Sequence, residues 1–448
     1  MNKEIKQVVE PLRTETNVVM RDKMVLNNGS KVDPEVERAM ENDTVTKEYL
    51  KGIKKEMNDG QVITISNEEE IKMTKELMNE HVLTMGIGAA GANVSHLAKL
   101  EGFMTCGVNT SEDDLKGIDV HHKFIFEQSF GSGKERRRSK EKFIENADSF
   151  IQFFGENFKN QKTVVIIHSN NGGTGGGSAP MAAKFLKDNY PDRNVFLISI
   201  AGSIKEDIKS QENGAAVLEE ITKAGVNYMV FDNDKVKGNI DQVYDTVNKE
   251  IIAAMKFIAR EHFRENNRHN IDLTDMQKIY LPKKRMVIVS GNFDRRVSGN
   301  CDYEQQMLDA IKASTQLAPV RTTEMTYAFF LNVEEALYGQ IDTNFRKISE
   351  NLGESYETYK HLQQKIDDAP DFTICISGLA EPVERYELIN KRIEEFLQVG
   401  DSVKSISEAK RVVIPGRENV NNFKLPEEEA VSEEKPSGIN KSAFSDFV

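Results

Sequence analysis

The 448-residue sequence has no tryptophan, only three cysteines and 11 prolines. Cys106, Cys301 and Cys375 are odd in number and far apart, which argues against a disulfide framework or a CxxC metal site and favours a reducing cytoplasm. Long hydrophobic runs are missing too. Stretches such as Val164 to Ile167 fall far short of the roughly 20 apolar residues a bilayer demands, so a transmembrane protein is excluded. The opening MNKEIKQVVEPLRTE carries charge without an apolar core or a small-residue cleavage site, unlike a secretory signal. Positive charge is in deficit as well: 59 Lys and Arg face 72 Asp and Glu, a net −13. That sign disfavours direct nucleic-acid binding through phosphate neutralisation, so any link to DNA would pass through an adaptor.

What is present has a regular texture. Residues 1–80 are polar and read as a partly helical extension, with DPEVERAMEN and NEEEIKMTKELMNE as its helical stretches. From His81 the chain alternates apolar strands (HVLTMGIG, FMTCGVN, TVVIIHS, NVFLISIA, NYMVFDN) with helices, one near 138–158, one at 180–189 and one at 213–224. Such alternation predicts an α/β fold with a Rossmann-like parallel sheet over residues 81–243. The periodic stretch DQVYDTVNKEIIAAMKFIAREHF predicts a long central helix, placed at 244–268, followed by a connection at 269–284. RMVIVSG, MTYAFFLN, DFTICISG and KRVVIP, with helices near 303–317 and 382–398, predict a second, smaller α/β domain over 285–415. Residues 416–448 are polar and broken by Pro and Gly, and disorder is expected there.

Two glycine loops follow strands. Gly86-Ile-Gly88-Ala-Ala-Gly91 is a GxGxxG opening a helix, but alone it is weak evidence for a dinucleotide. A dehydrogenase would end its second strand in Asp or Glu for the ribose; here the strand ends Val108-Asn109-Thr110, which disfavours an NAD-dependent enzyme. The second loop, Asn171-Gly172-Gly173-Thr174-Gly175-Gly176-Gly177-Ser178, lies between a buried strand and a helix expected to open at Ala179-Pro180. Side-chain-free backbone N–H groups backed by a helix dipole form a phosphate cradle, and without GK[ST] it is not a Walker loop.

GGTGGGSAP resembles the signature loop of the tubulin/FtsZ superfamily, departing from it at Asn171 and Gly176. Gly88, Ala89, Ala90, Gly91 and Asn93 follow that family's first phosphate loop in order, with alanine at two usual glycines. Asn109-Thr110-Ser111-Glu112-Asp113-Asp114-Leu115 follows its next strand end, and Gly131-Ser132-Gly133-Lys134 loosely matches a third loop. At the guanine end stand Asp232-Asn233-Asp234-Lys235-Val236, then Tyr244 and Asn248, whose i, i+4 spacing places a ring and an amide on one helix face. Of the family's ribose loop only Glu206 carries over. The resemblance implies GTP/GDP with Mg²⁺. It implies phosphate contacts from Gly88, Ala89, Ala90, Asn93, Gly131, Ser132, Gly133, Gly172, Gly173, Thr174, Gly175 and Gly176, and ribose and guanine contacts from Glu206, Asn233, Tyr244 and Asn248. No dedicated metal-ligating side chain is expected.

Beyond the long helix, Asn270-Ile271-Asp272-Leu273-Thr274-Asp275 contains an NxDxxD. By itself it could simply cap a helix and offset its dipole. The resemblance implies more: in this family Asn270, Asp272 and Asp275 would enter the GTP site of the next subunit and orient the attacking water. The protein would then be a GTPase that works only when polymerised head to tail, in an open filament. The basic run Arg136-Arg137-Arg138 with Lys140 and Lys142 is expected to be a solvated helix face. The divergent loops, the long N-terminal extension and LAEPVER are most similar to the plasmid- and phage-encoded TubZ/PhuZ group, implying a cytoplasmic role in DNA segregation. Phe444, Phe447 and Val448 could then anchor a DNA-binding adaptor. A divergent FtsZ-type division GTPase is the alternative.

Overall fold

The computed structural model describes residues 10–13, 18–21, 80–126, 131–259, 271, 273–295, 301–341, 344–363, 369–381, 383–409, 444 and 447. Near the amino terminus, ahead of the expected helical stretches, β1 (Glu10–Arg13) pairs antiparallel with β2 (Val18–Arg21). The two helical stretches expected before residue 80 lie outside the described residues, apart from Glu80 itself, and KRVVIP lies wholly outside them.

The next elements are β3 (Val82–Ile87), α1 (Gly88–Leu100), β4 (Met104–Asn109), β5 (His122–Ile125), α2 (Arg136–Glu145), α3 (Ala147–Asn157), β6 (Thr163–Ser169), α4 (Gly173–Asn189), β7 (Asn194–Ala201), α5 (Ile208–Glu220) and β8 (Asn227–Asp232). Their strands lie in the order β5-β4-β3-β6-β7-β8, all parallel. This doubly wound order reverses between β3 and β6, and ligands in such sheets bind outside the carboxyl ends of the strands at that point. Both faces of the sheet are covered, so strand residues sort alternately. Val164 and Ile166 join the cluster under α2–α5, while Val165 and Ile167 join the one under the central helix.

The central helix α6 (Ile240–Ala259) is followed by α7 (Leu273–Ile279) and a second unit: β9 (Arg285–Gly291), α8 (Tyr303–Ala313), β10 (Thr326–Asn332), α9 (Glu335–Tyr338), α10 (Arg346–Leu352), β11 (Glu357–Gln363), β12 (Phe372–Leu379) and α11 (Val383–Ala409). Its strands extend the same sheet to ten, in the order β9-β12-β10-β11 outward from β8. The β8–β9 seam is thin, with Tyr228↔Arg285 as its paired position. It is pinned by the buried Arg285, which donates to the carbonyls of Ala380, Leu317 and Ala318 at 2.7, 3.0 and 2.9 Å. Helix α6 belongs to both units. Phe257 packs edge-on to Phe330 of β10 at 4.8 Å, and Glu250 accepts from Ser314 and Thr315 at 2.8–2.9 Å.

Several helix boundaries differ from the sequence reading: α5 starts at Ile208 rather than near 213, and α11 runs to Ala409 rather than ending near 398. The helix near 138–158 is two helices broken at Asn146. More consequentially, α4 begins at Gly173, so the glycine loop is the helix's own first turns and Pro180 lies inside it. A proline there leaves the carbonyl of residue 176 without its usual partner. Arg136 Nε fills that vacancy, donating to the Gly176 carbonyl at 3.1 Å.

Candidate functional site

At the carboxyl ends of β3 to β8 the chain encloses a cavity of about 710 Å³, within the usual range for small-molecule sites. Segments after all six strands reach it: Gly88–Asn93 after β3, Ser111 and Asp114 after β4, Gly131–Lys134 after β5, Asn171–Gly175 after β6, Gly202 and Glu206 after β7, and Asn233 after β8. Tyr244, Val247 and Asn248 of α6 close one side.

Two helices point their amino ends into this space. Neither α1, with Ile87 before it, nor α4, with Gly172 before it, has a side-chain cap or an acidic residue in its first turn. At α5 and α8, by contrast, caps are supplied: Asp207 accepts from Ser210 N, and Asp302 accepts from Gln305 N. Several N–H groups at each bare end therefore lack an intrahelical partner, and the dipoles concentrate positive potential on the cavity. Close backbone approach makes this possible. A Cβ on Gly91 would stand 2.1 Å from the Ile167 carbonyl oxygen, so only glycine lets α1 press against β6. Gly88 has φ +78°, and its Cβ would stand 2.9 Å from Gly175 N.

Hydroxyls tie the end of β4 to two of the phosphate-loop candidates. Thr110 and Thr174 share a hydrogen bond of 2.6 Å, and Thr174 Oγ1 donates to Ser132 Oγ at 3.2 Å. Lys134 Nζ donates to Asp207 Oδ2 at 2.5 Å and to Ser210 Oγ at 3.2 Å. The Lys134 hydrogen bond, with that of the Ser210 N–H, draws the exposed Asp207 carboxyl down to about 2. At the other end Asn171 Nδ2 donates to Glu206 Oε2 at 3.1 Å, and Asn171 Oδ1 accepts from Gly202 N at 3.3 Å. Asn233 Oδ1 is buried without a hydrogen-bond partner.

A clamp from far along the chain fixes this end. Arg385 of α11, its side chain 4% exposed, donates from Nη1 to Asp234 Oδ2 at 2.8 Å and from Nη2 to the Gly202 carbonyl at 2.5 Å. It also lies 3.4 Å from Asp232 Oδ2. Burial raises the Asp232 carboxyl despite Arg385. Burial alone would raise Asp234 as well, but hydrogen bonds from Ser203, Ile204 and Arg385 prevail and hold it below the usual carboxylate value.

Gly88, Ala89, Ala90, Asn93, Gly131, Ser132, Gly133, Gly172, Gly173, Thr174, Gly175, Glu206, Asn233, Tyr244 and Asn248 all line the one cavity. Gly176 does not. It is the fourth residue of α4, the first whose N–H finds a partner within the helix, and a Cβ on it would meet the Asn170 carbonyl oxygen at 2.8 Å. Asp275 lies in the first turn of α7 and is not on the cavity wall; Asn270 and Asp272 lie outside the described residues. Asn171, Ser111, Asp114, Lys134 and Ser210 line the cavity but were not assigned to it from sequence. Position after a strand's carboxyl end is the signal that finds most of them. The basic run is not the solvated face expected: Arg136 and Lys140 both pair with Glu220 of α5, leaving Arg137 and Arg138 exposed.

Residues 71–241 match the tubulin/FtsZ family GTPase domain. The chain carries a tubulin/FtsZ-superfamily domain. Members of this superfamily are GTPases that bind GTP and GDP. The tubulin-like protein CetZ of Pyrococcus furiosus is 23% identical over 303 residues, covering 63% of this chain and 77% of that protein. The tubulin-like protein TubZ of Clostridium botulinum C phage is 24% identical over 221 residues, 47% of this chain and 60% of that protein. A GTPγS-form protofilament of Bacillus thuringiensis serovar israelensis TubZ has the same fold, with a TM-score of 0.61 at 15% identity over 76% of this chain and all of that one. The tubulin/FtsZ domain thus accounts for the doubly wound sheet and its cavity. Among the described residues no helix is long and apolar enough to cross a membrane.

Proposed function

We propose that the chain binds GTP in this cavity, polymerises head to tail, and hydrolyses GTP only where a neighbour's Asn270–Asp275 loop completes the site. The observation that carries this reading is the pair of uncapped helix ends, α1 and α4, facing one cavity. They would hold the phosphates through backbone N–H groups, with Ser132 and Thr174 hydroxyls beside them. Tyr244 is 49% exposed on the cavity wall, free to stack on a base. The partnerless Asn233 oxygen is an acceptor matched to the N–H edge of guanine, and Asn248, one turn beyond Tyr244, adds a second amide. Glu206 would face the ribose.

Mg²⁺ fits this site as an ion carried mainly by the nucleotide. Among the described residues no group of three or more His, Cys, Asp or Glu could ligate a metal, and Mg²⁺ commonly takes one or two carboxylates plus phosphate oxygens and water. Asp114, which lines the cavity after β4 and accepts from Asn109 Nδ2 at 3.2 Å, is a carboxylate that would be available to it. The ion would neutralise phosphate charge, while the backbone of α1 and α4 positions the chain of phosphates.

Asp275 is not on the cavity wall of its own subunit, which supports the reading that a second copy would supply the water-orienting carboxylate. The self-association reading has support in the related TubZ protofilament. Positioning of plasmid or phage DNA in the cytoplasm, through an adaptor, is the cargo we propose, on the strength of the phage TubZ relative. Phosphate release from GTP, measured against protein concentration alongside light scattering, tests the mechanism. The rate per subunit should switch on with scattering above a critical concentration, and a rate flat with concentration would refute it. Asp272→Ala should polymerise yet turn over slowly; wild-type turnover would remove the loop's assigned role.

A further inference from the structure

Two residues close to the end of the sequence are held by the fold. Phe444 and Phe447 are 1% and 3% exposed and belong to the apolar cluster beneath α2, α3 and α4. The Phe444 ring meets Phe143 of α2 edge-on at 5.8 Å and lies tilted against Phe185 of α4 at 5.4 Å. Phe447 N–H donates to the Phe444 carbonyl at 3.0 Å, a single turn that brings two rings spaced i, i+3 to one side. Lys140 Nζ donates to the Phe447 carbonyl while also pairing with Glu220 Oε1 at 2.7 Å. The end of a chain is ordinarily where order is lost. Here two aromatic side chains are withdrawn from water, each worth roughly 1.5–3 kcal/mol of transfer free energy.

The face that receives them has the parts of a peptide site: an apolar trough between two helices and a cation at its rim that meets a main-chain carbonyl. We propose that the α2–α4 groove is a docking site for a short peptide with aromatic anchors at i and i+3, and that its occupant is this chain's own 444–447 segment, docked within the same molecule. Residues 410–443 join α11 to it. That length spans up to about 110 Å when extended, so reach does not limit the return. While docked, the two rings are unavailable to any other protein, and a partner that recruits the carboxyl terminus must compete with the groove.

The test uses the full-length chain without nucleotide. A fluorescent peptide of residues 440–448 is titrated by anisotropy into wild type and into Phe444→Ala/Phe447→Ala. The variant, its groove vacated, should bind the peptide saturably. Wild type should bind it at least tenfold more weakly, because a tethered ligand competes at about millimolar effective concentration. A peptide with both phenylalanines replaced by serine should not bind the variant. Absence of saturable binding to the variant would overturn the groove as a site, and equal binding to both proteins would overturn its occupancy by the tail. Should wild type be a dimer that the double substitution converts to a monomer, the occupant would be a second copy's tail, overturning the intramolecular docking.

Discussion

Replacing Arg385 with methionine isolates the clamp between α11 and the Gly202 and Asp234 end of the cavity. The substitution keeps much of the buried volume and removes the charge that faces Asp232, 8% exposed at its side chain, and Asp234, 26% exposed. Stripping one member from a buried ion pair costs roughly 3–5 kcal/mol. There is a ceiling, because the stranded carboxyl can take up a proton. For an aspartate of ordinary value 3.8 that costs about 1.36 kcal/mol per pH unit, or roughly 4 kcal/mol at pH 7. The expected loss at pH 7 is therefore about 3–4 kcal/mol. The pH dependence carries a sign: in the variant the folded state holds a proton that the unfolded state lacks, so lowering the pH stabilises it relative to wild type. By pH 5.5 the deficit should shrink to about 2 kcal/mol. Urea unfolding followed by circular dichroism at the two pH values measures both numbers. A loss below about 1 kcal/mol, or one identical at pH 7 and 5.5, would refute the clamp.

His168, buried beneath the glycine turns of α4 with Ser199 Oγ 3.0 Å from Nε2, is driven down to about 3 by burial. Below pH 6.5 the unfolded chain takes a proton the folded one refuses, so His168→Gln should lose about 2 kcal/mol less than wild type between pH 6.5 and 5 in urea titrations. Equal slopes would show that the ring is not held neutral. Gly91→Val puts a side chain where the Ile167 carbonyl oxygen stands 2.1 Å from the Cβ position; soluble yield should collapse, and a soluble protein of near-native melting temperature would contradict the α1–β6 contact. Tyr244→Ala, at an exposed position, should leave stability within about 0.5 kcal/mol while weakening guanine-nucleotide binding roughly tenfold by calorimetry, the scale of one lost base stack. Unchanged affinity would remove Tyr244 from the site.

The parallel sheet was legible because its strands are buried on both faces and therefore read as apolar runs between helical periods, as TVVIIHS and NVFLISIA do. β11, sequence ETYKHLQ, carries no such signal: among the described residues it is an edge strand, paired with β10 alone. β5 is four residues long and just as quiet. The start of α4 was misread because glycines are poor helix formers; their burial against neighbouring backbone and the Arg136 bond to Gly176 outweigh that propensity. Nucleotide-site candidates were legible as loops after strands, whereas Arg385 was not, since nothing near it in sequence hints at partners more than 150 residues away. The buried Phe444 and Phe447 contradict the disorder expected for 416–448 at those two residues, because a hydrophobic face absent from the local sequence receives them.

The bare amino ends of α1 and α4 make occupancy of the cavity part of the folding equilibrium. A helix that caps itself is as stable empty as full; these two are finished only by something from solution. If an anion supplies the missing acceptors to the native chain alone, mass action adds about 2.7 kcal/mol when it is present at 100 times its dissociation constant. If a guanine nucleotide is that anion, folded abundance follows its pool, and depleting the pool lowers the amount of folded chain.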